Sequence, residues 1–221
     1  MRKALLFLVI VMLTPFALAQ SKPGSITAAA VWQPANLATT QAACGKSTGA
    51  SLETCVTGQM TKAGASPDAV AFTRELYQLN GQVGILSGFN KVGPVDIAFV
   101  TYLFQANPSH GLLLVNGQPP ILNVEDLKLL DQNGLQQSFQ FQDLKNQFPQ
   151  VALFPGDRDG KTWPNSQTGS NGGLQFVIGY PLRNGCPTCA HAGFALFQWN
   201  FDPSGKFTGT TFMGMTPAPV N

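Results

Sequence analysis

The chain has 221 residues, of which 44% are hydrophobic and 11% are charged, and its formal net charge is +2. Charges this few and this evenly balanced create no long-range field that would attract phosphate backbones, so the composition argues against a nucleic-acid partner. The 23 glycines and 16 prolines fall between apolar runs, where they indicate the turns and loops of a globular domain.

Residues 1–19 have the pattern of a secretory signal peptide. Arg2 and Lys3 precede an apolar run over Ala4–Leu13, and the segment ends in small residues at Ala17–Ala19. The run is shorter than the roughly 20 apolar residues that cross a bilayer, so no stable membrane anchor is expected after cleavage. The 13 basic residues less Arg2 and Lys3 leave 11, against 11 acidic residues. We expect a neutral mature chain in the periplasm or outside the cell.

Residues 20–43 are rich in Ala, Thr and Gln and carry Pro23 and Pro34. This composition predicts a loosely ordered lead-in. Residues 44–217 are predicted to form a single α+β domain.

Two amphipathic helices are expected first. Ser51 is a candidate N-cap for a helix with an apolar face that ends before Gly64. Ser66 and Pro67 provide an N-cap and a first helical residue for the second helix, which Gly81 ends.

Strand patterns follow, separated by short turns. The strongest turns are Asn116-Gly117 and Asp202-Pro203-Ser204-Gly205. Short helices are expected at Val124–Leu130 and Phe139–Phe148. We predict an α+β fold in which the two N-terminal helices pack on a largely antiparallel sheet that ends in a three-stranded meander. The predicted strands are Val83–Phe89, Val95–Phe104, Leu112–Val115, Val151–Phe154, Leu174–Tyr180, Phe194–Phe201 and Phe207–Met215.

Four cysteines are the one constellation that points to chemistry: Cys44, Cys55, Cys186 and Cys189. Export would place them in an oxidising compartment, where disulfides form and persist. Four cysteines allow three pairings, and the sequence does not select among them. The first interpretation is that they form structural disulfides.

Cys186-Pro187-Thr188-Cys189 also has the C-x-x-C spacing of thiol–disulfide exchange sites. Arg183 and His191 are near enough in sequence to lower the pKa of a thiol. However, the motif lies between two late strands, whereas in thioredoxin-like enzymes it begins a helix after an early strand. Covalent haem attachment requires histidine directly after the second cysteine, where this chain has Ala190. A zinc site would need reduced thiols, so no metal and no cofactor are predicted.

The segment Pro155–Gly173 is long and polar, and loops of this length often carry function. Asp157 and Asp159 resemble part of a calcium loop without its distal glutamate. Trp163 either anchors the loop or stacks on a ligand.

A hydrolase is a further alternative, because a catalytic triad is recognised by its geometry and has no fixed spacing in the sequence. His110, His191 and the strand residue Asp96 are the candidates, although a strand-end aspartate more often binds backbone groups.

The sequence therefore favours an exported, disulfide-stabilised domain without catalysis, which binds an unknown protein or small-molecule ligand. The alternatives are a thiol–disulfide exchange protein that uses Cys186 and Cys189 and an envelope hydrolase with scattered site residues.

Overall fold

A computed structural model describes residues 24–104, 109–156, 160 and 162–217. The predicted signal peptide lies outside these residues. Within them the chain has the predicted α+β composition. The helices are α1 (Leu37–Cys44), α2 (Gly49–Lys62), α3 (Pro67–Asn80), α4 (Gln132–Gln137) and α5 (Phe139–Gln147), with 3-10 turns at Ala28–Ala30 and Leu127–Leu129.

The described strands divide between two antiparallel sheets. The first sheet has the order β1-β2-β3-β4, and the second has the order β5-β7-β8-β9, with β6 also paired to β7. The predicted final meander is confirmed as β7-β8-β9. The strands are β1 (Gly84–Asn90), β2 (Asp96–Tyr102), β3 (Ser109–Val115), β4 (Ile121–Asn123), β5 (Val151–Leu153), β6 (Asn165–Thr168), β7 (Leu174–Asn184), β8 (His191–Phe201) and β9 (Phe207–Pro217).

The packing of the helices and the two sheets follows from which faces of these elements are apolar. All seven residues of β2 are buried, because helices cover one face of the first sheet and the second sheet covers the other. Phe72 and Leu76 of α3 pack on the helix side. Between the sheets, Phe99 of β2 shares a core cluster with Phe176 and Trp199 of the second sheet.

Local sequence signals set the ends of α3 as predicted. The Ser66 Oγ accepts a hydrogen bond from the Ala69 N–H at 3.1 Å, and Pro67 is the first helical residue. Gly81 ends the helix with a φ of 72°, in the left-handed region that glycine adopts without strain. The α2 helix begins earlier than expected, because Thr48 is its N-cap and Ser51 lies in its first turn.

The predicted lead-in is more structured than its composition suggests. Its described part contains the first 3-10 turn and α1, and Ile26, Ala30 and Trp32 are buried. The Trp32 N–H donates to the Leu86 carbonyl at 2.9 Å. These few apolar anchors and backbone bonds attach a polar segment to the first sheet.

A disulfide joins Cys44 at the end of α1 to Cys55 in α2, with the two Cα atoms 5.7 Å apart. Cys44 is fully buried among residues of the helical layer. The bond fixes the lead-in to the first long helix.

Within the described ranges, every helix is too short or too polar to traverse a bilayer.

Strand β9 lies at an edge of the second sheet, and Asp131 is bonded to it. The Asp131 carboxylate accepts from the Gly134 N–H at 2.9 Å, which caps α4, and from the Phe212 N–H of β9 at 3.2 Å. One side chain therefore begins a helix and satisfies one of the donors along the edge strand, where unpaired backbone groups can otherwise pair with another chain.

We predict that Asp131→Ala lowers the free energy of unfolding by about 1–2 kcal/mol, since it removes a helix cap and leaves a strand donor unpaired. Urea unfolding measures the loss. Asp126→Ala is the control, because Asp126 accepts from the Lys128 N–H in a 3-10 turn. An equal loss in the two variants would show that the bond to β9 contributes nothing.

Candidate functional site

The second sheet has one face in the core and one face toward solvent. Buried and half-buried residues alternate along β7 and β8, which is the pattern of an antiparallel sheet covered on one side. We call the solvent side the outer face. It is defined by Gln167 of β6, Gln175 and Val177 of β7, Phe194, Leu196, Gln198 and Asn200 of β8, and Thr211 of β9.

Cross-strand register places amide and hydroxyl side chains together at one end of the outer face. Gln175 is opposite Gln167 on one side and Asn200 on the other, and Gln198 is opposite Thr211. Side-chain hydrogen bonds link them in two groups, one of Gln167 with Gln175 and one of Gln198, Asn200 and Thr211. Gln167 Nε2 donates to Gln175 Oε1 at 3.1 Å, Gln198 Nε2 donates to Asn200 Oδ1 at 2.7 Å, and Asn200 Nδ2 donates to Thr211 Oγ1 at 3.1 Å. We call these five residues the amide row.

The middle of the outer face is apolar. Leu196 is opposite Gly179 on β7 and Gly214 on β9, so its two cross-strand neighbours in the described sheet are glycines. Phe194 is opposite Pro181 in the next position. The outer face thus combines a hydrogen-bonding half with an apolar half, and none of the eight residues that define it is charged.

The C-x-x-C motif lies at the tip of the β7–β8 hairpin, beyond the apolar end of the outer face. Cys186 and Cys189 form a disulfide with their Cα atoms 5.0 Å apart, and the Cys189 N–H donates to the Cys186 carbonyl at 3.0 Å. Arg183 Nη1 donates to the Cys189 carbonyl at 3.4 Å. The structure therefore brings Arg183 to the cysteine pair, as the sequence suggested.

His191 is opposite Arg183 in the hairpin and packs edge-on against Phe194, with ring centroids 4.6 Å apart. Its Nε2 is buried and has no hydrogen-bond partner among the described residues. Burial, and secondarily the charge of Arg183, lower the pKa of His191 below its ordinary value of 6.5. A lowered pKa favours the neutral imidazole at pH 7, so His191 places little positive charge beside the cysteine pair.

The lowered pKa of His191 predicts a pH dependence of stability. Its unfolded-state pKa is higher than its folded-state pKa, so below about pH 6.5 the unfolded chain binds more protons and stability falls. We expect the folded protein to lose stability relative to His191→Leu as the pH is lowered from 7 to 5. Chemical denaturation of both proteins across this range measures the difference. A relative gain in stability at low pH would contradict the assignment.

Of the three candidate ligand residues in the predicted loop, Trp163 is described, whereas Asp157 and Asp159 lie outside the described residues. The Trp163 ring lies 4.3 Å from the ring of Phe99, between centroids, and the side chain is 37% exposed. The indole packs closely over Gly88, because a Cβ at that position would lie 3.2 Å from it. The loop is thus anchored on the first sheet, and its role as a ligand site stays a prediction.

The structure does not bring the hydrolase candidates Asp96 and His110 together. Asp96 accepts from the Val92 N–H at 2.8 Å and from Asn116 Nδ2 at 2.8 Å. His110 Nδ1 lies 3.1 Å from the Thr101 hydroxyl, at the other end of β2. Thr101 is five positions from Asp96 along the strand, a distance of about 17 Å. Asp96 therefore has the backbone-binding role that is common at strand ends.

A separate depression of about 370 Å³ lies between the end of α3 and β4. Its lining is mostly apolar and includes Leu76, Leu113 and Ile121, with Asn123 and Asp126 at one side. Leu79 borders it and is 55% exposed. It is the alternative to the outer face as a place where a ligand could bind.

The described residues contain no group of three or more His, Cys, Asp or Glu side chains placed to hold a metal ion.

Comparisons of this chain with protein-family models, with curated proteins and with solved structures give no match. The sequence interpretation missed the outer face, although a signal was present. Alternate residues read Gln175, Val177, Gly179 along β7 and Phe194, Leu196, Gln198, Asn200 along β8. Amides and aliphatic residues at every second position are the pattern of strands with one face toward solvent.

Proposed function

We propose that this chain is an exported, disulfide-stabilised domain that binds an uncharged ligand on its outer face without catalysis. The amide row carries this proposal. Each amide offers both donors and acceptors, and the bonds among Gln167, Gln175, Gln198, Asn200 and Thr211 hold these groups in place before a ligand arrives.

Export is supported by two independent features. The leader pattern of residues 1–19 is that of a secreted protein. The two cysteine pairs are bonded, and disulfides persist in oxidising compartments.

Nuclear magnetic resonance tests the binding proposal. Backbone amide shifts of the processed chain would be followed while three probes are added: a neutral hexasaccharide, an anionic oligogalacturonate and an uncharged Gly/Ser/Gln peptide. We expect one of the uncharged probes to shift signals of β7, β8 and β9 and to be recovered uncut by mass spectrometry. Shifts confined to the depression between α3 and β4, cleavage of the probe, or no shift with any probe would contradict the proposal.

A second candidate function is thiol–disulfide exchange at Cys186 and Cys189. The observation that favours it is the position of this bond at a hairpin tip beside Arg183. A structural role predicts a reduction potential below about −300 mV for this bond, and an exchange role predicts a higher one. Equilibration with dithiol buffers measures it, and the Cys44–Cys55 bond, with Cys44 fully buried, is the internal reference.

A further inference from the structure

We infer that the ligand of the outer face is a segment of neutral polysaccharide. This inference rests on the proposed function and gives its ligand a chemical class. It follows from the hydrogen-bonding capacity of the amide row, from the apolar half beside it, and from the missing charge.

The amide row has unused capacity of the kind that sugar hydroxyls require. A sugar hydroxyl donates one hydrogen bond and accepts others, so its partner must offer both functions. The bond between Gln167 and Gln175 uses the Gln167 amide nitrogen and the Gln175 oxygen. Among the described residues, the Gln167 oxygen and the Gln175 nitrogen have no side-chain partner, and neither does the Gln198 oxygen, whose nitrogen donates to Asn200. The row thus presents acceptors and a donor side by side.

The size and shape of the face suit a short, extended oligosaccharide. The row crosses four neighbouring strands, β6 to β9, which at a strand spacing of about 4.8 Å spans about 14 Å. Next to it, Leu196 lies between two glycine positions and Phe194 follows. In this arrangement, Leu196 and Phe194 would contact the C–H face of a sugar ring while the hydroxyls of the sugar reach the amide row.

Charge and backbone pairing argue against other ligand classes. Anionic ligands need cationic partners, and the eight residues of the outer face supply none. Beyond the two ends of the face, Arg183 is bonded to the Cys189 carbonyl and Lys206 lies in the turn between β8 and β9. Peptides that bind sheets pair with the backbone of an edge strand, whereas a sheet face offers side chains only. At the β9 edge, the Phe212 N–H is already bonded to Asp131.

Isothermal titration calorimetry of the processed chain with cellohexaose, xylohexaose and mannohexaose tests the inference. We expect at least one of these to bind, and the double variant Gln175→Ala/Gln198→Ala to weaken binding by about tenfold or more, as expected for two lost hydrogen-bonding side chains. Gln78→Ala is the matched control, because Gln78 is an exposed amide on α3 and binding should be unchanged. Thermal unfolding of each variant confirms that it is folded.

Several results would overturn the inference, and they separate it from the proposed function. If the uncharged peptide shifts signals of the outer face and no hexasaccharide binds, the polysaccharide assignment is wrong and the binding function stands. If oligogalacturonate binds as tightly as the neutral sugars, the argument from missing charge is wrong. If sedimentation shows a dimer that the double variant dissociates, a second copy occupies the face. If no probe binds the outer face, both the polysaccharide inference and the proposed binding function are wrong.

Discussion

Asp96→Ala is expected to lower the free energy of unfolding by about 3–5 kcal/mol. Asp96 is 4% exposed, and its carboxylate accepts from Val92 and Gly93 backbone N–H groups and from the Asn116 amide. Asn116 in turn bonds the Ile26 N–H and carbonyl, each at 2.7 Å. Alanine would remove three hydrogen bonds to a buried carboxylate, and a hydrogen bond to a charged group contributes about 1.5–3 kcal/mol. Urea unfolding of the variant measures the loss.

Asn116→Gly separates the side-chain bonds from the backbone geometry. Asn116 has a φ of 68°, which glycine adopts freely, so this change removes the amide bonds without adding backbone strain. We expect a smaller loss than for Asp96→Ala, because the Val92 and Gly93 bonds remain. The double variant should lose less than the sum of the two single losses. Simple additivity would show that Asp96 and Asn116 do not act as one network.

The second large effect is expected for the disulfide between α1 and α2. Cys44→Ala/Cys55→Ala should lower the free energy of unfolding by about 3 kcal/mol, since the bond closes a loop with a sequence separation of 11. The unfolded chain gains conformational freedom when this bond is removed. Denaturant unfolding without reductant measures the loss, and non-reducing peptide mapping confirms which bonds are present.

Cys186→Ala/Cys189→Ala is the control for the disulfide prediction. Its sequence separation is 3, and the chain-entropy estimate for so short a loop is about 2 kcal/mol. The hairpin tip also contributes less packing than the buried Cys44. Equal losses in the two double variants would contradict the assignment of a larger architectural role to the Cys44–Cys55 bond.

Several elements could be predicted because short-range chemistry determines them. Ser66, Pro67 and Gly81 mark the ends of α3, and those ends are observed. The predicted turn at residues 202–205 is also observed. Gly205 has a φ of 82°, and its N–H donates to the Asp202 carbonyl at 2.9 Å. Each signal acts within four residues, so no tertiary context was needed.

Other elements depend on tertiary contacts that composition does not reveal. All four residues of β6 are exposed and polar, and the strand exists because it pairs with β7. The predicted helix at Val124–Leu130 is a single 3-10 turn over Leu127–Leu129, where the Asp126 side chain accepts from the Lys128 N–H. The division into two sheets likewise depends on how the strands pair across the core.

The candidate site likewise has one part that follows from short-range chemistry and another that depends on tertiary contacts. The position of Arg183 beside the C-x-x-C disulfide could be predicted, because a hairpin brings sequence neighbours together. The amide row could not be predicted in this way. It places Gln167 opposite Gln175, and Gln198 opposite Thr211, through strand registers that composition does not determine. Burial of the His191 Nε2 is a tertiary effect of the same kind.

The side-chain amide signals of the amide row give the most direct test of the outer face as a ligand site. Nitrogen-15 spectra of the processed chain would be recorded during titration with cellohexaose, xylohexaose or mannohexaose. We predict that the side-chain NH₂ signals of Gln167, Gln175, Gln198 and Asn200 shift together and saturably, while that of Gln78 does not move. Saturable binding that leaves these four signals unchanged would contradict the account.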